Sequence, residues 1–253
     1  MKKIILFVSA FALLLTSCSS DDSDPEPAAP TGTLLTKIIE TYDDGSVETS
    51  NITYNGNKIV SMITVEYNEK TIFTYTGDLI TKEEFFVDDI IDETFVYEYD
   101  TNQRLIKSTK TYISSMEVDN FTYNSNNTVS FVTTSAGNTI ASGTIYFDGN
   151  QPYKKELSEI SGTSVYNTTE EDIYDDKVNP FSSVVGFSKI QIACPSYIRG
   201  YNGIPNNSIE FKRNGVTDWT SVYTYNSNNM PATEVYTEIN HPDYNSTLQY
   251  IYN

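Results

Sequence analysis

The chain has 253 residues, of which 34 are acidic and 16 are basic, so its formal net charge at pH 7 is −18. This acidic balance argues against nucleic acid as a partner, because phosphate backbones are bound by basic surfaces. Twenty tyrosines and twelve phenylalanines favour β-structure. Two cysteines and one histidine exclude a multi-histidine metal site and leave little material for a disulfide framework.

The first residues indicate export followed by lipidation. A pair of lysines precedes an apolar stretch over residues 4–15, which has the length of a signal-peptide core and is short for a membrane span. The stretch ends in Leu15-Thr16-Ser17-Cys18, which resembles the bacterial lipobox. The resemblance implies cleavage before Cys18 and a diacylglycerol on its thiol. We therefore expect residues 1–17 to be a signal peptide and the mature protein to contact the membrane through this lipid.

Residues 18–32 are expected to be a tether. Their serine-, aspartate- and proline-rich composition cannot bury a core and keeps the chain extended. The run Ser20-Asp21-Asp22 resembles the acidic export signal of Bacteroidota lipoproteins, which implies the cell surface of the outer membrane, with the periplasmic face as the alternative. Removal of the signal peptide takes away two lysines and no acid, so the mature net charge is −20. That charge disfavours flat binding to an anionic bilayer.

A repeated strand-and-turn motif runs along residues 33–253, which we interpret as one domain. Each copy has an apolar residue, usually a polar one, an aromatic one, and then a turn built from Asn, Asp, Gly, Ser or Thr. The first five copies place their aromatic residues 21 to 24 positions apart, at Tyr54, Tyr75, Tyr99, Tyr123 and Phe147. Two strands of about nine residues with two short turns explain a period of about 24. The sequence therefore predicts an all-β fold, an antiparallel β-meander of hairpins that is curled or partly closed to cover its aromatic face.

One copy of the motif carries a family resemblance. Residues Tyr97-Glu98-Tyr99-Asp100-Thr101-Asn102-Gln103-Arg104-Leu105 resemble the YD repeat of Rhs-type proteins, and other copies have Asn or Thr in place of the Asp. The chain as a whole is similar to flavobacterial-type surface lipoproteins of Bacteroidota that are built from such hairpins. The resemblance implies a β-repeat scaffold at the cell envelope and implies no activity, because a fold does not determine a function.

The repeat is interrupted at about residues 162–207, which are rich in proline and glycine. We interpret this stretch as an irregular insertion with one helical turn near residues 180–185. Long irregular loops in compact domains are often functional, so a ligand site is expected here first. The stretch also holds candidate Ca²⁺ ligands, namely Glu170, Glu171, Asp172, Asp175 and Asp176. A solvated acidic loop is the alternative, because the Asp-x-Asp-x-Asp-Gly spacing is missing.

The remaining reactive side chains favour structural roles. His241 lies in a turn without a second imidazole, and Cys194 follows an apolar run that predicts a buried thiol. Trp219 is the only tryptophan, and the tyrosines follow the repeat, which indicates packing more than a binding platform. The sequence thus predicts no catalytic residue and no cofactor.

Together these features predict a monomeric, non-enzymatic lipoprotein of the outer membrane that acts as a binding or scaffolding module. Its expected partner is a glycan or an envelope protein. One alternative is a glycan-binding accessory lipoprotein of an outer-membrane uptake system. The other is a glycoside hydrolase, since that chemistry needs only two carboxylates and the chain has many.

Overall fold

The structure is a computed structural model that describes residues 32–195 and 203–253, so the expected signal peptide, Cys18 and the expected tether up to residue 31 lie outside the described residues. The described residues form sixteen strands that join in chain order into a closed antiparallel barrel. The predicted all-β meander is confirmed. The sheet, which was expected to be curled or partly closed, is fully closed. The strands are β1 Leu35–Tyr42, β2 Val47–Asn55, β3 Lys58–Thr64, β4 Glu69–Thr76, β5 Leu79–Val87, β6 Ile90–Tyr99, β7 Leu105–Thr111, β8 Met116–Tyr123, β9 Thr128–Ser135, β10 Asn138–Asp148, β11 Gln151–Ser161, β12 Ser164–Tyr174, β13 Ser208–Arg213, β14 Val216–Tyr225, β15 Pro231–Glu238 and β16 Ser246–Tyr252.

The first and last strands close the barrel. β1 pairs with β16, with Leu35 opposite Tyr252 at one end of the ladder. Just beyond the ladder, the Leu34 backbone N–H donates to Asn253 Oδ1 at 2.8 Å, and the Asn253 N–H donates back to the Leu34 carbonyl at 3.1 Å. Closure leaves no unpaired edge among the sixteen described strands. Because the number of strands is even, the chain enters and leaves the barrel at the same end.

That end also carries the turns of the repeat, and we call it the capped end. It holds the turns after β2, β4, β6, β8, β10 and β14, where residues such as Gly77 and Asn127 adopt a positive φ of 57° and 58°. We call the other end the open end. There, Asn214 and Gly215 both have positive φ, at 52° and 78°, which is the backbone of a type I′ hairpin turn.

Tyrosine hydroxyls bind backbone carbonyls at the capped end. Each acceptor carbonyl lies where the strand register shifts by one residue, so the regular ladder is interrupted there. The hydroxyl comes from a repeat tyrosine on a nearby strand. The donor and acceptor pairs are Tyr54 to Leu35 at 2.8 Å, Tyr99 to Ile80 at 2.5 Å, Tyr174 to Pro152 at 2.7 Å and Tyr252 to Pro231 at 2.8 Å. We call these contacts the tyrosine latches, and they give the repeated aromatic residue a structural role.

Most of the barrel wall is apolar on its inner face and polar on its outer face. Side chains that point inward are buried and mostly apolar or aromatic, as in Ile52, Phe73, Phe95, Phe121 and Phe131. The outward positions are rich in threonine and charge, and they also include exposed apolar side chains such as Val96, Val222 and Val235. They carry ion pairs along the wall, including Lys107–Glu98 at 2.7 Å, Lys82–Glu84 at 2.8 Å and Lys154–Glu156 at 2.8 Å. The charged residues on this outer wall distinguish it from the apolar outer band of a transmembrane barrel.

Residues 175–195, which we call the cap segment, leave β12 and fold across the capped end. The Val185 N–H donates to the Asn57 carbonyl at 2.9 Å, and Tyr75 donates its hydroxyl to the Val185 carbonyl at 3.1 Å. Phe187 packs against Phe73 of the barrel at a ring-centroid distance of 6.0 Å. The cap segment therefore fills the end of the barrel at which β1 begins and β16 ends.

The insertion is shorter than the sequence indicates. Residues 164–174 form β12, so the expectation of irregular structure from residue 162 is wrong for this part. Its central residues 167–172 are polar on both faces, so the strand lacks the apolar alternation by which strands are recognised in a sequence. The helical turn expected near residues 180–185 lies slightly later, as a 3-10 helix at Phe187–Lys189. Within residues 32–195 and 203–253, no helix has the length and apolar character needed to cross a membrane.

Candidate ligand-binding cavity

The barrel is not filled completely. A cavity of about 540 Å³ lies between the cap segment and the wall made by β10 to β16 and β1. Phe181, Ile190 and Cys194 of the cap segment border it on one side. Its volume falls in the range of roughly 300–1,000 Å³ that is typical of small-molecule sites.

Three aromatic residues form the cavity wall towards the open end, and we call them the aromatic trio. Phe211 lies opposite Trp219 in the β13–β14 ladder, and their rings stack with centroids 5.8 Å apart and planes at 11°. Tyr236 continues the row, with its ring centroid 5.6 Å from that of Trp219. All three are half-buried. Trp219 is near the start of β14 and Tyr236 is near the end of β15, which places both close to the open end.

Carboxylates flank the aromatic trio on both sides. Asp172 on β12 lies opposite Phe211 and accepts a hydrogen bond from Ser208 Oγ at 2.9 Å. On the other side, Tyr236 lies opposite Ser246, whose hydroxyl donates to Glu40 at 2.6 Å. Burial raises the pKa of Asp172 to about 6, and burial likewise raises the pKa of Glu40. Strand pairing alone therefore brings aromatic rings and partly buried acids onto one surface.

A third carboxylate, Glu234, is held by three hydroxyl groups. It accepts hydrogen bonds from Ser221 at 2.5 Å, from Tyr223 at 3.0 Å and from Tyr250. Burial, followed by the negative charge of Glu234, raises the pKa of Tyr250 well above its usual value, so this phenol stays protonated and keeps donating. Glu234 and Glu40 both line the cavity, and the pKa of Glu40 is raised by burial and then by the negative charges of Glu48 and Glu234.

The basic residues at the cavity are already paired. Lys155 forms an ion pair with Glu170 at 2.7 Å and donates to the Pro195 carbonyl. Lys154 pairs with Glu156 on the outer surface. In the part of the chain that the structure describes, no lysine or arginine forms an ion pair with the remaining acids, Glu40, Asp172 and Glu234. We call these three the cavity carboxylates.

The structure does not bring the candidate Ca²⁺ ligands together. Glu170 and Asp172 point into the barrel, whereas Glu171 between them points outward because side chains alternate along β12. Asp175 accepts hydrogen bonds from neighbouring residues of the insertion, and Asp176 is exposed beside a lysine. Among the described residues, no group of three or more Asp, Glu, His or Cys side chains could hold a metal ion.

Cys194 and His241 occupy structural positions. Cys194 is buried, and its backbone N–H donates to Ser108 Oγ at 3.4 Å. Ser108 and Thr133 both donate to the buried Asp119 at 2.7 Å, so a small polar cluster attaches the cap segment to the barrel wall. His241 is exposed at the open end, just before a 3-10 helix. The expected lipobox, Cys18 and the export signal lie outside the described residues.

Comparison with known proteins gives a likeness of fold. No protein-family model matches the chain. No curated protein matches it either. The chain is similar to a porin-like protein from Bacteroides uniformis whose crystal structure is known, with 11% identity and a TM-score of 0.54. The match covers 90% of this chain and 99% of that one. At this identity the similarity concerns the architecture of the barrel alone.

Proposed function

We propose that the chain is a non-enzymatic, envelope-anchored binding protein that takes a small ligand into the barrel from its open end. The observation that carries this proposal is the cavity of about 540 Å³, with the aromatic trio on its wall and the cavity carboxylates beside it. A concave site with aromatic lining and a few converging polar groups is the usual composition of a small-molecule site. Hydrogen bonds within the barrel wall hold those polar groups in place before any ligand arrives.

The proposed location is the outer membrane, with the barrel in water beside the bilayer. The lipobox supports the anchor, and the fold likeness to a porin-like protein of Bacteroides fits an envelope protein. Ion pairs such as Lys107–Glu98 on the outer wall support contact with water, because charged side chains on a lipid-facing barrel surface are costly. In this proposal the lipid on Cys18 is the membrane attachment.

The direction of the tether supports access to the cavity. β1 begins at the capped end, so the tether joins the barrel there. The open end, where the aromatic trio lies, is then the end of the barrel farther from the point where the tether joins. A ligand arriving from the medium or the periplasm reaches the cavity without crossing the lipid surface.

A retention experiment tests the proposal. The chain with Cys18→Ala is purified from the periplasm of an expression host, incubated with extract of the source bacterium and separated from free small molecules by gel filtration. Denaturation then releases any bound compound for mass spectrometry. The control is Leu248→Trp, which places a large ring in the cavity from β16. Retention is compared after the melting temperatures of the two proteins have been shown to be equal.

The expected result is a compound retained by the Cys18→Ala chain and lost in the cavity-filling variant. Equal retention by both proteins, or none by either across extracts from several growth conditions, would overturn the proposal. An insoluble Cys18→Ala product would contradict the view of a barrel that is attached to the membrane by lipid alone.

A glycan ligand is the second candidate. The half-buried aromatic trio favours it, because sugar rings stack on exposed aromatic faces and their hydroxyls donate to carboxylates. In the retention experiment, a released oligosaccharide would support an accessory role in glycan uptake. Replacement of Trp219 by Ala should then abolish retention.

A further inference from the structure

We propose that the cavity recognises an organic cation, a ligand that carries an ammonium group on a compact apolar body. This inference rests on the proposed function, because it assigns a ligand class to the same cavity. It is argued from the charge balance of the cavity, the placement of the aromatic trio and one amide group of the cap segment.

The charge balance of the cavity is negative. Lys155 and Glu170 neutralise each other at 2.7 Å, which leaves the three cavity carboxylates without an ion-pair partner among the described residues. Their hydrogen bonds come from neutral hydroxyls of serine and tyrosine. Partly buried carboxylates are stabilised by an opposite charge, so a cation would relieve the electrostatic cost of this wall.

The aromatic trio supplies a surface that also attracts cations. The face of an aromatic ring carries negative charge density, and tryptophan is the strongest of the aromatic side chains in this respect. Strand pairing sets Asp172 next to Phe211 on one side of Trp219, and Tyr236 with the Ser246–Glu40 pair on the other. A cation over these rings therefore has carboxylates on both flanks.

Other ligand charges fit the cavity less well. An anion would meet three carboxylates and no unpaired basic group of the described residues. A neutral ligand would displace water from the carboxylates without supplying a positive charge in its place. The loss of hydration would then be uncompensated and unfavourable. The composition of the cavity therefore favours a positively charged ligand.

The cap segment adds a hydrogen-bond acceptor. Gln191 lies between this cavity and a second one of about 570 Å³ that Asn150 also lines, and its side-chain nitrogen donates to the Asn150 carbonyl at 3.1 Å. Its amide oxygen is buried and has no donor among the described residues. A buried acceptor without a partner is unusual in folded proteins, and an ammonium or hydroxyl group on the ligand would satisfy it.

Choline and 3,3-dimethyl-1-butanol test the inference as a matched pair. The two molecules have the same shape, but the quaternary nitrogen of choline is a neutral carbon in the alcohol. Trp219 is the only tryptophan of the chain and lies in the cavity wall, so its fluorescence reports occupancy directly. With the Cys18→Ala chain, choline should give a saturable change, and the neutral alcohol should bind at least about tenfold more weakly.

Two neighbouring substitutions on β12 separate a local charge effect from a general one. Asp172→Asn removes an inward charge and can still accept the Ser208 hydrogen bond. Glu171→Gln removes the same charge from the outer face of the same strand. We expect Asp172→Asn to weaken choline binding about tenfold and Glu171→Gln to leave it unchanged within about twofold.

Equal binding of choline and the alcohol, equal effects of the two substitutions, or no saturable choline signal would each overturn the inference. The retention experiment distinguishes this failure from that of the proposed function. A neutral or anionic compound retained only by the unblocked cavity keeps the binding function and refutes the cation. Absence of any retained compound together with absence of choline binding refutes both.

Discussion

The tyrosine latches can be tested at Tyr99, whose hydroxyl donates to the Ile80 carbonyl at 2.5 Å. Ile80 is fully buried, and its carbonyl lies at the register shift between β4 and β5. The substitution Tyr99→Phe removes the donor and keeps the ring, so the carbonyl loses a partner without loss of packing. A buried group left without its partner costs about 1–2 kcal/mol in the free energy of unfolding. For a domain of this size, that corresponds to a fall in melting temperature of about 2–8 °C.

Thermal unfolding of the Cys18→Ala chain, followed by circular dichroism, measures this shift. Tyr166→Phe is the matched control, because Tyr166 on β12 is 58% exposed and removal of its hydroxyl leaves no buried acceptor. We expect the control to unfold within about 1 °C of the parent. If Tyr99→Phe is as stable as Tyr166→Phe, the latch hydrogen bond contributes nothing and the repeated tyrosine serves packing alone.

Three further substitutions probe the cavity, the cap segment and the wall, each by thermal unfolding. Burial raises the pKa of Asp172 to about 6, so the folded chain binds the Asp172 proton more tightly than the unfolded chain does. The stability that this bound proton contributes is complete below about pH 4 and is lost as the pH rises through about 6. The stability of Asp172→Asn relative to the parent should therefore increase between about pH 4 and about pH 7.5. Phe187→Ala should cost about 3–4 kcal/mol by leaving a cavity under the cap segment, whereas the exposed Ser188→Ala should cost almost nothing. Gly143→Ala should cost about 2–3 kcal/mol, because an added Cβ would lie 2.1 Å from a carbonyl of β11, and the neighbouring Ser142→Ala should be tolerated.

The repeat made the strands and their turns predictable from the sequence. Apolar and aromatic residues at alternate positions, followed by turn residues, indicate hairpins at Tyr54, Tyr75, Tyr99 and their equivalents. These signals are local, because they depend on alternation along one strand and on the backbone freedom of Asn and Gly. The inward direction of the repeat aromatics followed from the same alternation.

Closure of the barrel and the extent of the insertion were not predictable in this way. The β1–β16 pairing joins segments with no common pattern, and only the three-dimensional curvature of the intervening strands brings them together. β12 was missed because Thr168, Glu170 and Asp172 face an interior that is itself polar at this point. A strand that lines a polar cavity lacks the apolar alternation on which prediction depends.

The cavity residues were therefore the least predictable part. The sequence identified Asp172 as a candidate metal ligand in an acidic loop together with Glu171. In the structure both residues lie on β12, where their side chains point to opposite faces of the sheet. Trp219 was interpreted as packing, and its half-buried position beside the cavity differs from that expectation. Glu40 and Glu234 carried no signal. The i, i+2 spacing of Glu170 and Asp172 was the available clue, since it puts both acids on one face of a strand.

Closure between β1 and β16 also constrains how the molecule is made. The closing contacts join residues 219 positions apart, so the barrel cannot close until its last strand has been synthesised. Until then the growing sheet keeps two unpaired edges, which are templates for aggregation. Such long-range pairing makes folding slow, because a large loop entropy is lost before the contacts form. Chaperones that protect sheet edges should therefore determine the yield of this protein more than its final stability does.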